Sequence, residues 1–377
     1  MIFNGVIALL AVVLMITVAV LCKDAELSEK ATRTVTFAFT EFFGRISSAV
    51  PFSVFETFAF IAAAVALFLI IKGIVMLAKR QPARGLCSFT TLIATVLAVV
   101  SVYMLDTSFA YNRQKPPLEI YKNGDLTDEE LLDATNDFMQ DFILLSSEIE
   151  RDNDGFPVCD YSVSELSELI VAEYEKLQGD YYCDYVPEAK GMAFSAIMSE
   201  SYLTGITFTP IGEANVNKET PVSSLIFTIA HETAHAVGIM REEDANLMAA
   251  YVLINSDNDL LRYSAMYNYF DRMLWIMYYL DKDAYEDYAS WYDSSLVKRE
   301  IKAEKAFWET KGAFNAISDF FNNIYLKLNG QDLGTDSYVD SNFSDADPSE
   351  PDDDGNVTYA LTLSDIQLAF VTRYHNG

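Results

Sequence analysis

The chain has 377 residues and carries 55 acidic against 26 basic side chains, a formal net charge of −29, although 51% of its residues are hydrophobic. Residues 1–110 hold 8 basic and 6 acidic residues, which leaves 18 basic and 49 acidic residues, a charge of −31, in residues 111–377. Clustered lysine and arginine are what bind a phosphate backbone, so we predict no nucleic-acid partner. The 13% of aromatic residues and the regular apolar spacing argue against a fully disordered chain.

Three apolar runs in the first third of the chain are long enough to cross a lipid bilayer. They are Ile2–Cys22, Phe55–Leu77 and the shorter Phe89–Leu105. A helix crosses about 30 Å of hydrocarbon with about 20 residues. A cleaved signal peptide is the alternative for the first run, which lacks a basic start and a small-residue cleavage site. We therefore predict a membrane domain of three helices over residues 1–107.

The charges of the short connecting segments predict the orientation of these spans. Lys79, Arg80 and Arg84 lie between the second and third runs without an acidic residue, whereas residues 23–52, predicted to be a loop, balance four basic against four acidic residues. Cytoplasmic loops are enriched in lysine and arginine, so the N-terminus is expected inside the cell and everything after Leu105 outside. In an oxidising exterior Cys159 and Cys183 either form a disulfide or remain as two buried thiols.

The remainder of the chain has a predominantly helical pattern. Thr127 to Glu130 and Ser162 to Glu165 are capping boxes that open helices reaching about Glu148 and Gly179. Ile206–Pro210 is the best candidate for a short strand. Residues 221–328 are helical with breaks near Gly238, residues 255–257 and Asp281. Residues 344–355 are an acidic loop or linker, and His375 is expected in a disordered tail.

Two of the three histidines lie in the sequence His-Glu-Thr-Ala-His, residues 231–235. On a helix, His231 and His235 project from one face and can bind one metal ion through imidazole nitrogen. Glu232 lies beside them, where its carboxylate can take a proton from a water molecule activated by the metal. This arrangement is typical of zinc peptidases and predicts Zn²⁺ as the cofactor.

A catalytic zinc site needs a third protein ligand. The position that carries a third histidine in one class of zinc peptidase is Arg241 here, which cannot ligate a metal. Glu242 with Asn246 four residues later resembles the Glu-x-x-Ala-Asp/Asn pattern of gluzincin-type peptidases, in which the Glu is the third ligand and the later residue supports a ligand histidine. We rank Glu242 first, Asp244 second and Glu243 third; a carboxylate that favours a helix N-terminus is the alternative for each.

Several linked motifs extend this pattern over most of the chain. They are Pro51-Phe52-Ser53, Tyr111-Asn112-Arg113, Gly212 to Asn217, His231 to Asn246, Arg262-Tyr263-Ser264, Tyr325-Leu326-Lys327 and Asn329-Gly330-Gln331. With them the chain resembles the bacterial membrane family catalogued as domain of unknown function 3810, whose members look like integral-membrane zinc peptidases. The acidic residues 344–355 depart from the family pattern.

The predicted fold class is mainly α, with the three transmembrane helices followed by a helical, zincin-like metallopeptidase domain that contains a small strand element. The expected divisions are the membrane domain 1–107, a linker at 108–125, the catalytic domain 126–343, and an acidic loop and C-terminal tail at 344–377. The resemblance also implies anchorage in a bacterial membrane. Together with the three apolar runs and the charges of their connecting segments, it predicts a multi-pass protein of the bacterial cytoplasmic membrane with an extracytoplasmic catalytic domain.

The predicted function is hydrolysis of peptide bonds in a peptide or protein substrate of the cell envelope or membrane. Glu232 is the general base, and Tyr263 is the candidate that stabilises the oxyanion, with Arg241, Tyr267 and Arg262 behind it. Glu213, Asn215 and Asn217 are candidates for lining the substrate cleft, because zinc peptidases commonly bind substrate along a strand that precedes the metal helix. A tight polar turn without ligand contact is the alternative for that segment.

Two other functions remain open from the sequence. A membrane-anchored sensor or scaffold would keep the metal site without peptidase activity, and a zinc-dependent hydrolase would act on a substrate other than protein. The presence of Glu232 favours catalysis over the first, because a purely structural metal site gains nothing from a general base. A closed structural zinc site would also need a fourth ligand, and no further histidine or nearby cysteine is available in the sequence.

Overall fold

The computed structural model describes residues 1–328, 345–348 and 359–376 and is mainly helical. Three helices are long and apolar enough to cross a membrane: α1 (Ile2–Leu21), α5 (Val54–Ala78) and α6 (Pro82–Tyr111). They confirm the three candidate spans. The third is longer than predicted, because residues Asp106 to Tyr111 continue the helix and are buried within the rest of the protein.

The three long helices form a bundle in which α1 and α6 run in the same direction. Near one end the Asn4 amide donates to the hydroxyls of Thr90 and Thr91, and near the other end Val18 packs with Phe109. The α6 helix runs back along α5 after a short turn at residues 79–81. The N-terminus and the basic turn therefore lie at the same end of the bundle, which is the geometry that the predicted topology requires.

Residues 25–48, which we predicted to be a loop, are helical almost throughout. They comprise α2 (Ala25–Ala31), α3 (Phe37–Phe39) and α4 (Arg45–Ser48), joined by π-helical stretches at Thr32–Thr36 and Thr40–Gly44. Besides Phe37, their buried face consists of small residues spaced mainly four apart: Ser28, Thr32, Thr36, Thr40, Gly44 and Ser47. Residues four apart drift by about 40° per step around a regular α-helix, so the wider π turns keep this row facing the soluble domain.

The soluble helices begin and end near their sequence signals. They are α7 (Asp128–Glu148), α8 (Val163–Tyr174), α9 (Ser195–Ser199), α10 (Val222–Ala236), α11 (Glu242–Ile254), α12 (Asp259–Leu280), α13 (Lys282–Ser294), α14 (Leu296–Glu309) and α15 (Asn315–Leu328). Both predicted capping boxes are formed, at the starts of α7 and α8. The main core surrounds α10, which packs against α8, α11, α12 and the strands described next.

A small three-stranded sheet covers one side of α10. It consists of β1 (Lys190–Gly191), β2 (Gly205–Phe208) and β3 (Glu213–Val216) in the order β1-β3-β2, with β2 antiparallel to β3. The predicted strand at 206–210 is therefore confirmed within about two residues. Gly212 links β2 to β3 with a φ of 55°, and a Cβ there would lie 2.9 Å from the Cα of Thr40. This close approach joins the sheet to the helical segment 25–48.

The C-terminal region differs from its prediction as an acidic loop and tail at 344–377. Residues 345–348 form β4 (Asp345–Pro348), which pairs with β5 (Tyr359–Thr362), and the rest of the acidic stretch 344–355 lies outside the described residues. The last helix, α16 (Asp365–His375), packs against α7 and α11 and buries Ile366, Leu368 and Phe370. His375 ends this helix against Tyr121. Five buried apolar positions within residues 366–371 formed too short a pattern to separate from a tail by sequence.

Two carboxylates connect α5 to the soluble domain. Glu213 of β3 accepts hydrogen bonds from the backbone N–H groups of Val54 and Phe55 and from Ser53 Oγ, and it pairs with Lys190 at 2.8 Å. In the opposite direction, the Glu56 carboxylate of α5 accepts hydrogen bonds from the backbone N–H groups of Ala193 and Phe194, just before α9. Free N–H groups at helix starts are satisfied by such acceptors, so the membrane helix and the sheet hold each other in a fixed position.

We expect Glu213→Gln to destabilise this junction by about 1.5–3 kcal/mol, the usual contribution of a hydrogen bond to a charged group, since it leaves the ammonium of Lys190 without a counter-charge. Burial would raise the pKa of Glu213, but Lys190 and the surrounding donors hold it below its usual value. The contribution is therefore present at neutral pH and is lost as the pH falls through that lowered pKa. Thermal unfolding of the protein in lipid nanodiscs measures both effects. Glu41→Gln, at an exposed site on the helical segment 25–48, is the control, and equal unfolding midpoints for the two variants would contradict the prediction.

Candidate metal centre

The paired histidines lie in the last turns of α10, the most deeply buried helix of the domain. Ile226, Ile229, Ala230 and Ala234 are fully buried, and they fix which face of the helix points toward the sheet and which toward α11. The helix stops after Ala236, where Gly238 adopts a φ of 87° and the N–H of Ile239 returns to the carbonyl of Ala234. This glycine-dependent stop turns the chain so that α11 starts beside the histidines.

Three side chains meet where α10 faces the first turn of α11. Nε2 of His231 lies 3.2 Å, and Nε2 of His235 lies 3.5 Å, from Oε2 of Glu242. One potential ligand atom from each residue lies within 4.8 Å of the other two, and this is the one such group found among the described residues. The structure thus brings together the two histidines and the first-ranked carboxylate.

The other nitrogen of each imidazole is engaged in a hydrogen bond. His235 Nδ1 lies 2.8 Å from the carbonyl oxygen of Ile239, so this nitrogen carries the proton and donates it. His231 Nδ1 lies 2.9 Å from Oδ1 of Asn246, the residue predicted to support a ligand histidine. Both hydrogen bonds leave the Nε2 atoms directed toward Glu242. Metal-binding histidines are oriented in this way by acceptors behind them.

The donor set fits a zinc ion. Two imidazole nitrogens and one carboxylate form a known catalytic zinc set with a fourth position left for water. Ligands about 2.0–2.1 Å from a tetrahedral ion lie roughly 3.3 Å from one another, and the two measured nitrogen–oxygen separations of 3.2 and 3.5 Å match that value.

The charges of the three groups are strongly coupled. Burial would lower the pKa of His235, but the facing Glu242 carboxylate raises it to about 9. Burial would raise the pKa of Glu242, but His235 and His231 hold it at about 2. A buried carboxylate that stays ionised between two imidazoles is suited to receive a divalent cation.

Glu232 lies beside this group without joining it. Its side chain is buried and accepts a hydrogen bond of 2.6 Å from the hydroxyl of Thr207 on β2. Burial raises the pKa of Glu232 above its usual value, although His235 and His231 oppose the shift. The backbone of β2 also approaches closely at Gly205, where a Cβ would lie 2.4 Å from Oε1 of Glu232. The strand therefore fixes the position of this carboxylate.

A cleft of about 800 Å³ opens over the three candidate ligands and Glu232. One wall is formed by residues 201–208, which include the whole of β2, the edge strand of the three-stranded sheet. An extended peptide can add to such an edge by backbone hydrogen bonding. Phe227 and Thr228 of α10 and Ser318 and Asp319 of α15 contribute further to the lining.

The structure separates the ranked acidic residues. Asp244 points away from the histidines and forms an ion pair with Arg241, at 2.5 Å. Burial raises the pKa of Asp244 to about 6, although Arg241 opposes the shift. Glu243 is partly exposed and lies 3.9 Å from Arg241. Asp244 and Glu243 are therefore acidic residues in the first turn of α11, which was the alternative to a role as metal ligand.

Tyr263, predicted to stabilise the oxyanion, does not line the cleft. It is fully buried, donates a hydrogen bond of 2.7 Å to Glu300 and accepts one from Arg151. The candidates behind it are also engaged elsewhere: Tyr267 donates to Glu304, and Arg262 pairs with Asp141 and Asp259. The motif residue Tyr263 thus belongs to a network that fixes α14 against α10, where Glu300 also accepts from Ser223.

The residues proposed to line the cleft from β3 are buried behind it. Asn215 is fully buried on the central strand, and Asn217 donates to Ser199 and to the carbonyl of Leu203. Glu213 caps α5, as described above. The strand ahead of α10 that lines the cleft is β2. The prediction named residues at β3 instead, the next strand along the chain.

Sequence reasoning missed the contribution of the third membrane helix. Tyr103 and Tyr111 of α6 line the cleft together with Tyr202, so the phenol groups there come from these three residues rather than from Tyr263. In a chain with 22 tyrosines, no sequence signal distinguishes them.

Cys159 and Cys183 are free thiols, as are Cys22 and Cys87, so the disulfide alternative is wrong.

Four of the linked sequence motifs, those that contain Ser53, Arg113, Glu213 and Gly238, meet in space where the long apolar helices join the rest of the protein. Ser53 hydrogen-bonds Glu213, and Arg113 donates to the carbonyl of Gly238 while forming two hydrogen bonds with Glu29. Asn329, Gly330 and Gln331 lie outside the described residues. The contacts explain why motifs far apart in the chain occur together, since they hold the membrane helices against the end of α10.

Comparison with curated proteins and with solved structures gave no match. A family model does match, over residues 32–341, from the segment that precedes α5 through the metal-centre helices and beyond α15. The chain therefore belongs to the family described as protein of unknown function DUF3810.

Proposed function

We propose that this protein is a membrane-anchored zinc metallopeptidase, gluzincin-like in its ligand set, whose zincin-like domain lies outside the bacterial cytoplasmic membrane. The observation that carries the proposal is the convergence of His231, His235 and Glu242 beneath an open cleft with Glu232 beside them. A sensor or scaffold with a structural metal site has no use for a buried general base or for an edge strand along the cleft.

The residues have distinct roles in the proposed reaction. His231, His235 and Glu242 hold zinc, which when bound acidifies a water molecule and polarises the substrate carbonyl. An extended peptide lies along β2, with its backbone paired to the free edge of that strand. Glu232 accepts a proton from the attacking water and returns it to the leaving amine. Asn246 and the Ile239 carbonyl keep both imidazoles oriented for ligation.

The metal site is tested by the zinc content and zinc affinity of purified variants. We expect His235→Ala and Glu242→Ala to lose bound zinc, whereas Asp244→Asn, which alters the carboxylate paired with Arg241, keeps it. Asn246→Ala should weaken zinc binding by about 10–100-fold, because the ring of His231 loses its hydrogen-bond acceptor. Greater zinc loss in Asp244→Asn than in Glu242→Ala would assign the third ligand differently, and wild-type affinity in Asn246→Ala would remove its supporting role.

The orientation is tested by labelling of introduced cysteines in intact cells. Residue 83 lies in the first turn of α6, next to the basic turn at residues 79–81, and residue 285 lies on α13, in the part of the chain that follows α6. We expect a membrane-impermeant thiol reagent to label a cysteine at 285 and not one at 83. Permeabilised cells provide the control in which both react, and labelling of residue 83 alone in intact cells would reverse the topology.

A further inference from the structure

The membrane helices form one end of the cleft. Tyr103 of α6 lines the cleft and stacks on Phe208, with ring centroids 5.6 Å apart. Phe208 also contacts Phe55 and Phe58 in the first turns of α5, at 5.2 and 5.9 Å. On α6, the exposed large apolar side chains extend to Val102. The last residue of the edge strand β2, Phe208, therefore contacts both α5 and α6. Its contact on α6, Tyr103, directly follows Val102, the last exposed large apolar side chain of that helix.

The segment before β2 also reaches the membrane helices. Phe194 and Ile197, in and beside α9, are 48% and 52% exposed, and Phe194 contacts the outward-facing Phe60 of α5 at 4.7 Å. Tyr202, which lines the cleft, is 44% exposed. The apolar surface of α5 thus continues without interruption onto the soluble domain, next to the cleft.

The helical segment 25–48 extends this surface. It begins after α1 and ends before α5, so both of its ends adjoin membrane spans. Its threonine and serine face packs on the domain, whereas Phe42, Phe43 and Ile46 on the opposite face are exposed. A helix with one apolar face exposed beside membrane spans is typical of a segment that lies in the plane of the bilayer interface.

These residues define an apolar rim: Phe42, Phe43, Ile46, Phe52, Phe194 and Ile197. Soluble proteins rarely expose apolar patches of this kind without a partner. Continuity with three membrane spans identifies the partner as the bilayer itself, whose interfacial layer accommodates aromatic side chains. A protein partner would have to displace lipid from the adjoining face of α5.

The catalytic residues lie close to this boundary. Thr207, which hydrogen-bonds Glu232, is the neighbour of Phe208 on β2. A strand rises about 3.3 Å per residue, so the reacting position lies within about two residues of the aromatic contact with α5 and α6. A peptide bound along β2 is held with its scissile bond next to the membrane surface.

We infer that the apolar rim is immersed in the interfacial layer of the bilayer and that the cleft takes peptide segments within a few residues of the substrate's own membrane anchor. The substrate class rests on the proposed peptidase function, whereas the immersion of the rim does not. The anchor is a transmembrane segment or an acyl chain, since either would hold a flanking peptide at this height.

Fluorescence quenching in nanodiscs tests the immersion. In a Cys87→Ala, Cys159→Ala background, a fluorophore at Phe194→Cys should be strongly quenched by lipids with a spin label near the headgroup. The matched control is Tyr278→Cys, an aromatic position of similar exposure, 43%, on α12, which packs against α7, α10, α11 and α13. It should show little quenching. Equal weak quenching at both positions would overturn the inference, whatever the enzyme cleaves.

Tethered peptides test the substrate class. The zinc-loaded protein in liposomes is offered fluorogenic peptides of mixed sequence that are free, attached to lipid through about four residues, or attached through about twenty. We expect the short-tethered peptides to be cleaved at least tenfold more efficiently than the free ones, close to the anchor. Equal cleavage of all three classes would overturn the membrane-proximal substrate, with free peptides as the true class. If none of the three peptide classes is cleaved but the fluorophore at Phe194→Cys is quenched, the peptidase function is contradicted and the immersion of the apolar rim is still supported.

Discussion

Replacing Glu232 with glutamine is expected to reduce peptide hydrolysis by about 10²–10⁴-fold, the usual contribution of a general base, and to leave zinc content unchanged. Glutamine has the size of glutamate and can still accept the hydrogen bond from Thr207, but its amide cannot take up a proton at neutral pH. Because Glu232 lies outside the group of three candidate ligands, the metal site should persist.

This variant is measured by zinc analysis and by proteolysis of cell-envelope proteins, alongside His235→Ala, which should lose both metal and activity. Glu243→Gln is the matched control, because it makes the same chemical change at a partly exposed carboxylate that lies outside the three-ligand group. Glu243→Gln should retain wild-type activity. Equal cleavage by wild type and Glu232→Gln would refute the proposed mechanism, and loss of zinc from Glu232→Gln would make Glu232 a ligand instead.

The second large effect is expected from Gly205→Ala, at the start of β2. The added Cβ would lie 2.4–2.7 Å from the carboxyl end of Glu232, so either the strand or the Glu232 side chain must move. Displacing a catalytic group by about 1 Å costs about 10²-fold in rate. We expect a loss of this size in kcat with zinc still bound, since the ligands themselves are not displaced.

The matched control for Gly205→Ala is Gly5→Ala, where nothing lies within 4 Å of the new Cβ. A double variant with Glu232→Gln identifies the cause of the loss. If Gly205→Ala acts by displacing Glu232, the double variant should be no less active than Glu232→Gln alone. Additive losses, or full activity of Gly205→Ala, would show that the strand does not position the general base.

Local signals explain which parts of the fold were predictable. The capping boxes at Thr127 and Ser162, the apolar spacing of α10 and the stop at Gly238 all act through residues within a few positions of one another. Length and hydrophobicity similarly identified α1, α5 and α6. Residues 25–48 were missed because, apart from Phe37, their buried face is made of serine, threonine and glycine, which a hydrophobic pattern does not register.

The candidate site divides in the same way. His231, Glu232, His235, Glu242 and Asn246 are predictable because two consecutive helices carry them at fixed helical spacing. Tyr263 was assigned wrongly because its burial depends on distant partners: Glu300 of α14 is 37 residues away in the chain and Arg151 is 112 residues away. The choice of β3 over β2 failed because strand order, not proximity to the metal helix in sequence, decides which edge is free.

The sequence by itself determined the three candidate membrane spans, the acidic character of residues 111–377 and the group of His231, His235 and Glu242. Each depends on composition or on spacing within one or two helices. Only the tertiary structure decided that β2 forms the wall of the cleft, that Tyr103 and Tyr111 of a membrane helix line it, and that α16 belongs to the core. Those features depend on contacts between segments far apart in the chain, which no local pattern encodes.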